Sequence, residues 1–188
     1  MVMKKIAVLL YFILSSSYFT LSFGQIFMAD SCRVSFFSAT AMEDIDAENT
    51  ISKPVMSTAT GDIQISIVNQ EFIFKSHLMQ EHFNEDYMES DKYPHTVFKG
   101  KVNEKVDYTK DGANTVTVTG VMDMHGVKKT ITIPGTITIQ NGIIFLNAKF
   151  DVMMADYNIK VPKAILGSNL ADHVAITFKA TMKPYKVK

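Results

Sequence analysis

Two histidines, two glutamates and one thiol are the residues of this chain whose types and spacing invite a chemical reading. His77 and Glu81 stand four apart, the spacing that places two metal ligands on one helix face, with His82 and Glu85 beside them. A zinc site would need H-E-x-x-H or a third ligand at useful spacing, and the sequence has neither. No metal is therefore assigned, and His82 is expected to tie a helix to the body of the fold by a hydrogen bond or, as a second choice, to touch a ligand head group. Cys32 is the only cysteine. It can form no intramolecular disulfide, and beyond Arg33 no cation or base flanks it to lower its pKa. No serine sits in G-x-S-x-G, and no glycine-rich loop is built to cradle phosphate. The carboxylates Glu43, Asp44, Asp46 and Glu48 read as the solvated face of a strand. No catalytic residue, metal or cofactor is assigned.

Composition narrows the partners. The 188 residues carry 19 basic and 19 acidic side chains and 47% hydrophobic residues, enough for one sizeable core. Arg33 is the only arginine, so the chain lacks the basic footprint that nucleic acid or an anionic membrane surface demands. Residues 1 to 24 have the order of a signal peptide: Lys4-Lys5, then the apolar run Ile6 to Leu14, then serines and a small residue, Gly24. Serines interrupt the run before it reaches the length of a membrane span. The expectation is export, with removal of residues 1–24 and a single domain over 25–188.

The elements that must position any site are strands. Val116, Val118, Gly120, Met122 and Met124 alternate with polar residues, as do Ile63, Ile65, Ile67 and then Val174, Ile176, Phe178, Ala180, Met182. Period-two alternation of this kind predicts antiparallel sheet with one apolar and one wet face. Asn141-Gly142 suits a type I′ hairpin turn, and His125-Gly126 divides another pair of runs. Eight strands are expected, near 32–39, 43–49, 60–68, 96–104, 115–124, 128–139, 143–154 and 174–184. Pro134 should mark a bulge, a bend or a sheet edge in the sixth. Gly120, within a strong strand, should mark a bulge, a bend or a close approach, with a bend as the favoured reason. The pattern fits a closed barrel or a two-sheet sandwich equally.

Residues 76–89 break the alternation. Leu78, Met79, His82, Phe83 and Met88 recur at spacings of about three to five, which predicts a short amphipathic helix capped by Ser76 and lying over one end of the strands. A helical turn is expected after Pro162, through Lys163-Ala164-Ile165-Leu166 to Gly167. The inward positions are Ile63, Ile65, Ile67, Phe98, Val118, Gly120, Met122, Phe150, Val152, Ile176 and Phe178. They can form a solid core or the lining of a cavity. Met122, Met124, Met154 and Met182 would supply adaptable lining.

Three stretches carry a family resemblance. His82-Phe83-Asn84-Glu85-Asp86-Tyr87-Met88-Glu89-Ser90-Asp91-Lys92-Tyr93-Pro94, followed by Thr96-Val97-Phe98, resembles the most recognisable segment of the YceI-like family. Thr119-Gly120-Val121-Met122-Asp123-Met124-His125-Gly126-Val127-Lys128-Lys129 is similar to its V-x-G-x-L-x-x-x-G-V-x-K hairpin. Phe150-Asp151-Val152 to Asp156-Tyr157-Asn158-Ile159 is similar to a later strand, with Asn158 where the family has glycine, and Asp30-Ser31-Cys32 stands where it often has His-Ser. The resemblance spans nearly all of residues 32–185. It implies an all-β fold, an eight-stranded antiparallel lipocalin-like barrel, exported to the periplasm or secreted by a bacterium. It also implies that the barrel holds the apolar tail of an isoprenoid lipid of the quinone or prenyl diphosphate class. On that reading the eleven inward residues line a cavity, and His82, Phe83, Tyr93, Asp156 and Tyr157 are lid or head-group candidates. The expected role is a carrier without catalysis. The alternatives are a solidly packed barrel acting as a protein-interaction module, and an enzyme working on such a lipid through His82, Asp156 or Tyr157. Oligomeric state is left open.

Overall fold

The structure, a computed structural model, describes residues 25–38, 44–160 and 173–185. Ten strands follow one another: β1 (Ile26–Ser38), β2 (Ile45–Asn49), β3 (Val55–Ser57), β4 (Asp62–Val68), β5 (Ile73–Phe74), β6 (His95–Val102), β7 (Gly112–Met124), β8 (Val127–Gln140), β9 (Ile143–Met153) and β10 (His173–Pro184). Between β5 and β6 lies one helix, α1 (His77–His82), which continues as a π-helical turn, Phe83–Tyr87. Every pairing is antiparallel, and β10 returns to β1. The ring β1-β10-β9-β8-β7-β6-β4-β3 therefore closes an eight-stranded barrel, and the sandwich is excluded. Closure leaves no free outer strand in that ring. β2 pairs with the upper half of β1 and carries β5 on its far side.

The alternation seen in the sequence becomes the inside and outside of this barrel. Asn141-Gly142 has the expected geometry, with φ 51° and 74°, and His125-Gly126 shares it, with φ 51° and 75°. Type I′ turns require that pair of positive angles, and their twist matches the strands they join. The two hairpins define the ends of the molecule. The end bearing Asn141-Gly142 is closed by packing, with Met56, Ile139, Ile144 and Met182 almost fully buried. The end bearing His125-Gly126 also receives α1.

Some expectations need correction. β1 begins at Ile26, six residues before the alternation predicts, because its register against β10 slips between Ala29 and Ser31. The extra residue, Asp30, moves the inward set from Phe27 and Ala29 to Cys32, Val34 and Phe36, so the two halves of one strand are out of phase in the sequence. The helix is α-helical for only six residues. Met88 N–H then reaches back five residues to the Phe83 carbonyl at 2.8 Å, which accounts for the Phe83-to-Met88 spacing. Ser76 sits at the N-cap position without a side-chain cap. Residues 1–24 and the turn expected after Pro162 lie outside the described residues.

Candidate functional site

Above the packed end the barrel holds a cavity of about 360 Å³, within the usual size of small-ligand pockets. Ten of the eleven inward candidates line it: Ile63, Ile65, Ile67, Phe98, Val118, Met122, Phe150, Val152, Ile176 and Phe178. Gly120 does not. A Cβ built there would lie 2.4 Å from Gly100 Cα and 2.4 Å from the Lys99 carbonyl oxygen, and Gly100 is its partner across the β6–β7 ladder. Close approach of two backbones, not a bend and not space for a ligand, is what this glycine serves.

Four phenylalanines form the upper wall on one side. Phe36 from β1, Phe72 and Phe74 around β5, and Phe83 from the helical segment meet at ring-centre distances of 5.0 to 5.6 Å. This cluster fills the space between β2–β5 and β4, where no strand pairing joins the two among the described residues. Alternation hinted at Phe36, but β5 has only two residues, too few to show a period. Met56, Met79 and Met88 also line the cavity, beside the expected Met122, Met124 and Met154. Met182 is instead fully buried in the packed end. Leu78, expected to turn inward, is 59% exposed.

The lining holds no aspartate, glutamate, lysine or arginine among the described residues. Two of its polar members are held by hydrogen bonds: Thr96 Oγ1–H donates to Asn69 Oδ1 at 2.9 Å, and Asn69 Nδ2–H to the Tyr93 carbonyl at 2.7 Å. A lining without charged side chains favours a neutral apolar guest over a charged one. His82 reaches the lining, yet its Nδ1 lies 2.7 Å from Asp86 on its own helical segment. Among the described residues His82 makes no hydrogen bond to the barrel, contrary to expectation.

A different histidine makes that link. His125 is almost buried, with Nδ1–H donating to the Tyr157 carbonyl at 2.9 Å and Nε2 at 2.8 Å from a Glu89 carboxylate oxygen. Tyr93 packs on its ring at 4.6 Å. The hydrogen bond from His125, with help from nearby Lys92, holds the Glu89 carboxyl below its ordinary pKa. This knot joins the helical connection, the β7–β8 hairpin and the 3₁₀ turn Met154–Tyr157. Asn158 ends that turn at φ 58°, the left-handed conformation in which asparagine can stand for glycine. Tyr93, Asp156 and Tyr157 thus lie outside the cavity lining, and Asp156 pairs with Lys129 at 2.6 Å. In sequence His125 was legible only as half of a turn.

A profile of the YceI-like domain matches residues 16–182. No curated protein matches. Among solved structures, a polyisoprenoid-binding domain from Saccharophagus degradans implicated in plant cell wall breakdown is similar at TM-score 0.71 and 14% identity, over 85% of this chain and 98% of that one. BcnA of Burkholderia cenocepacia is similar at 0.66 and 17%, over 80% and 95%. A Campylobacter jejuni YceI protein is similar at 0.55 and 17%, over 80% and 86%. The barrel is common to all of these, and with the profile spanning most of its length the chain belongs to the YceI-like domain family.

Proposed function

We propose that this protein is an exported carrier that holds the apolar tail of an isoprenoid lipid inside its barrel and performs no reaction on it. The observation that carries this reading is the cavity itself, enclosed by apolar side chains and free of charged ones among the described residues. Branched methyl groups and flexible thioethers suit a chain that offers bulk and no hydrogen bonds. The polyisoprenoid-binding neighbour supports the same ligand class. Of His82, Asp156 and Tyr157 only His82 lines the cavity, and His82 and Asp156 are paired with Asp86 and Lys129, which favours binding over the enzymatic alternative. Export rests on the order of residues 1–24, and no helix among the described residues is long and apolar enough to cross a membrane. Protein recovered from the exported fraction should have an intact mass that begins close to Gln25; a mass retaining Met1 to Gly24 would revive a membrane anchor. The ligand itself is tested by organic extraction of the purified protein and mass spectrometry. A prenyl lipid near one per protein is expected, and protein that yields none from a prenyl-lipid-rich host counts against the proposal.

A further inference from the structure

The barrel wall is zipped along only part of one seam. β8 pairs with β9 from Gly135 opposite Ala148 to Gln140 opposite Ile143, and the ladder stops there. Among the described residues, 127–134 of β8 pair only with β7, and 149–153 of β9 only with β10. The halves part at Pro134 and Gly135. Proline has no N–H to give a ladder, and a Cβ on Gly135 would stand 2.8 Å from the Asn147 carbonyl oxygen. Above the split, the 3₁₀ turn Met154–Tyr157 crosses from the end of β9 toward β8, held by the Lys129–Asp156 pair and by the His125 bond to Tyr157.

The cavity reaches into this split. Its boundary includes the outward-facing Pro134, Thr136 and Asn147 together with the inward-facing Gly135 and Ala148. A cavity confined to the barrel would touch only the inward set, because neighbouring strand residues face opposite ways. The comparable break between β4 and β5 is filled by the phenylalanine cluster; along this one the described lining residues supply a single aromatic, Phe150 of β9, with no aromatic partner.

Length gives the split a use. Strands rise about 3.3 Å per residue and tilt about 40° in barrels, so Val116 to Met124, both lining residues, spans about 20 Å of the axis. Four carbon–carbon bonds of about 1.5 Å carry an extended isoprene unit about 5 Å. About four extended units therefore fill the chamber. We propose that the split between β8 and β9 is a side port through which the far end of a longer prenyl chain leaves the barrel. This rests on the carrier reading above and adds to it the class of ligand: chains longer than the chamber.

The test compares a four-unit with an eight-unit prenol, bound to delipidated full-length protein, in wild type, Pro134→Trp and Ala148→Phe. Pro134→Trp adds bulk at the exposed outer rim, where folding is least at risk, and Ala148→Phe narrows the inner rim; thermal melts confirm that each variant folds. Blocking the port should weaken the eight-unit prenol at least about tenfold more than the four-unit prenol, the loss from leaving two methylenes unburied. The chain has no native tryptophan, so emission from Pro134→Trp should also shift to the blue with the long prenol alone. Equal losses at both lengths, or none at either in a folded Pro134→Trp, overturn the port while leaving the carrier standing. Failure of wild type to bind either prenol removes the carrier reading first.

Discussion

Single residues decide how this barrel closes. Gly120 and Gly100 face each other across the β6–β7 ladder with no room for a side chain between the strands. Gly120→Ala should therefore cost about 1–3 kcal/mol or more, since the obstructing atoms are backbone and cannot rotate away. Urea denaturation that leaves the midpoint unchanged would contradict this. Cys32 makes a second case. Burial pushes its thiol up to about 11 from an ordinary 9, so the folded thiol stays neutral where the unfolded one has already lost its proton. Its contribution to stability is present below pH 9 and is lost as pH rises from 9 toward 11. Cys32→Ala should lack that alkaline decline, and iodoacetamide at neutral pH should label the native thiol far more slowly than the unfolded one. Rapid native labelling would show that the thiol is accessible.

At the scale of elements, the helical segment is a wall and not an appendage. Phe83 brings the π-helical turn against Phe36, Phe72 and Phe74. Truncating it removes contacts from three rings at once, so Phe83→Ala should destabilise by about 3 kcal/mol, the lower figure for a buried aromatic because Phe83 is half-buried. A melting temperature equal to wild type would mean the segment packs on nothing. Apart from the start of β1, strands of five residues or more were legible in the sequence, because alternation fixes which side chains turn inward wherever it runs unbroken. It failed in β1, where the bulge at Asp30 reverses the phase, and in β3 and β5, whose three and two residues take their conformation from neighbours. Pro134 announced a break in the ladder. Only the register of β8 on β9 shows that the break is an edge that stays open above Gly135 among the described residues.

For the whole molecule, the sequence identified inward residues without revealing what they enclose. Ten inward positions line the cavity, yet Met182, equally inward, belongs to the packed end. That difference depends on how ten strands share volume, which no local period reports. The knot around His125 was hidden for the same reason: its partners Glu89 and Tyr157 lie 36 and 32 residues away in the chain. The central claim is that the chamber is ligand space and not a defect in packing. Met122 lines it from near the end of β7, and Met122→Trp would put an indole into that volume. The deciding measurement is lipid recovered per protein for wild type and Met122→Trp, each with its thermal melt. A carrier should lose most of its lipid while melting within a few degrees of delipidated wild type, because the added bulk occupies volume the tail vacates. Wild type that never holds lipid, beside a variant destabilised by the overpacking cost of about 1–3 kcal/mol, would contradict it.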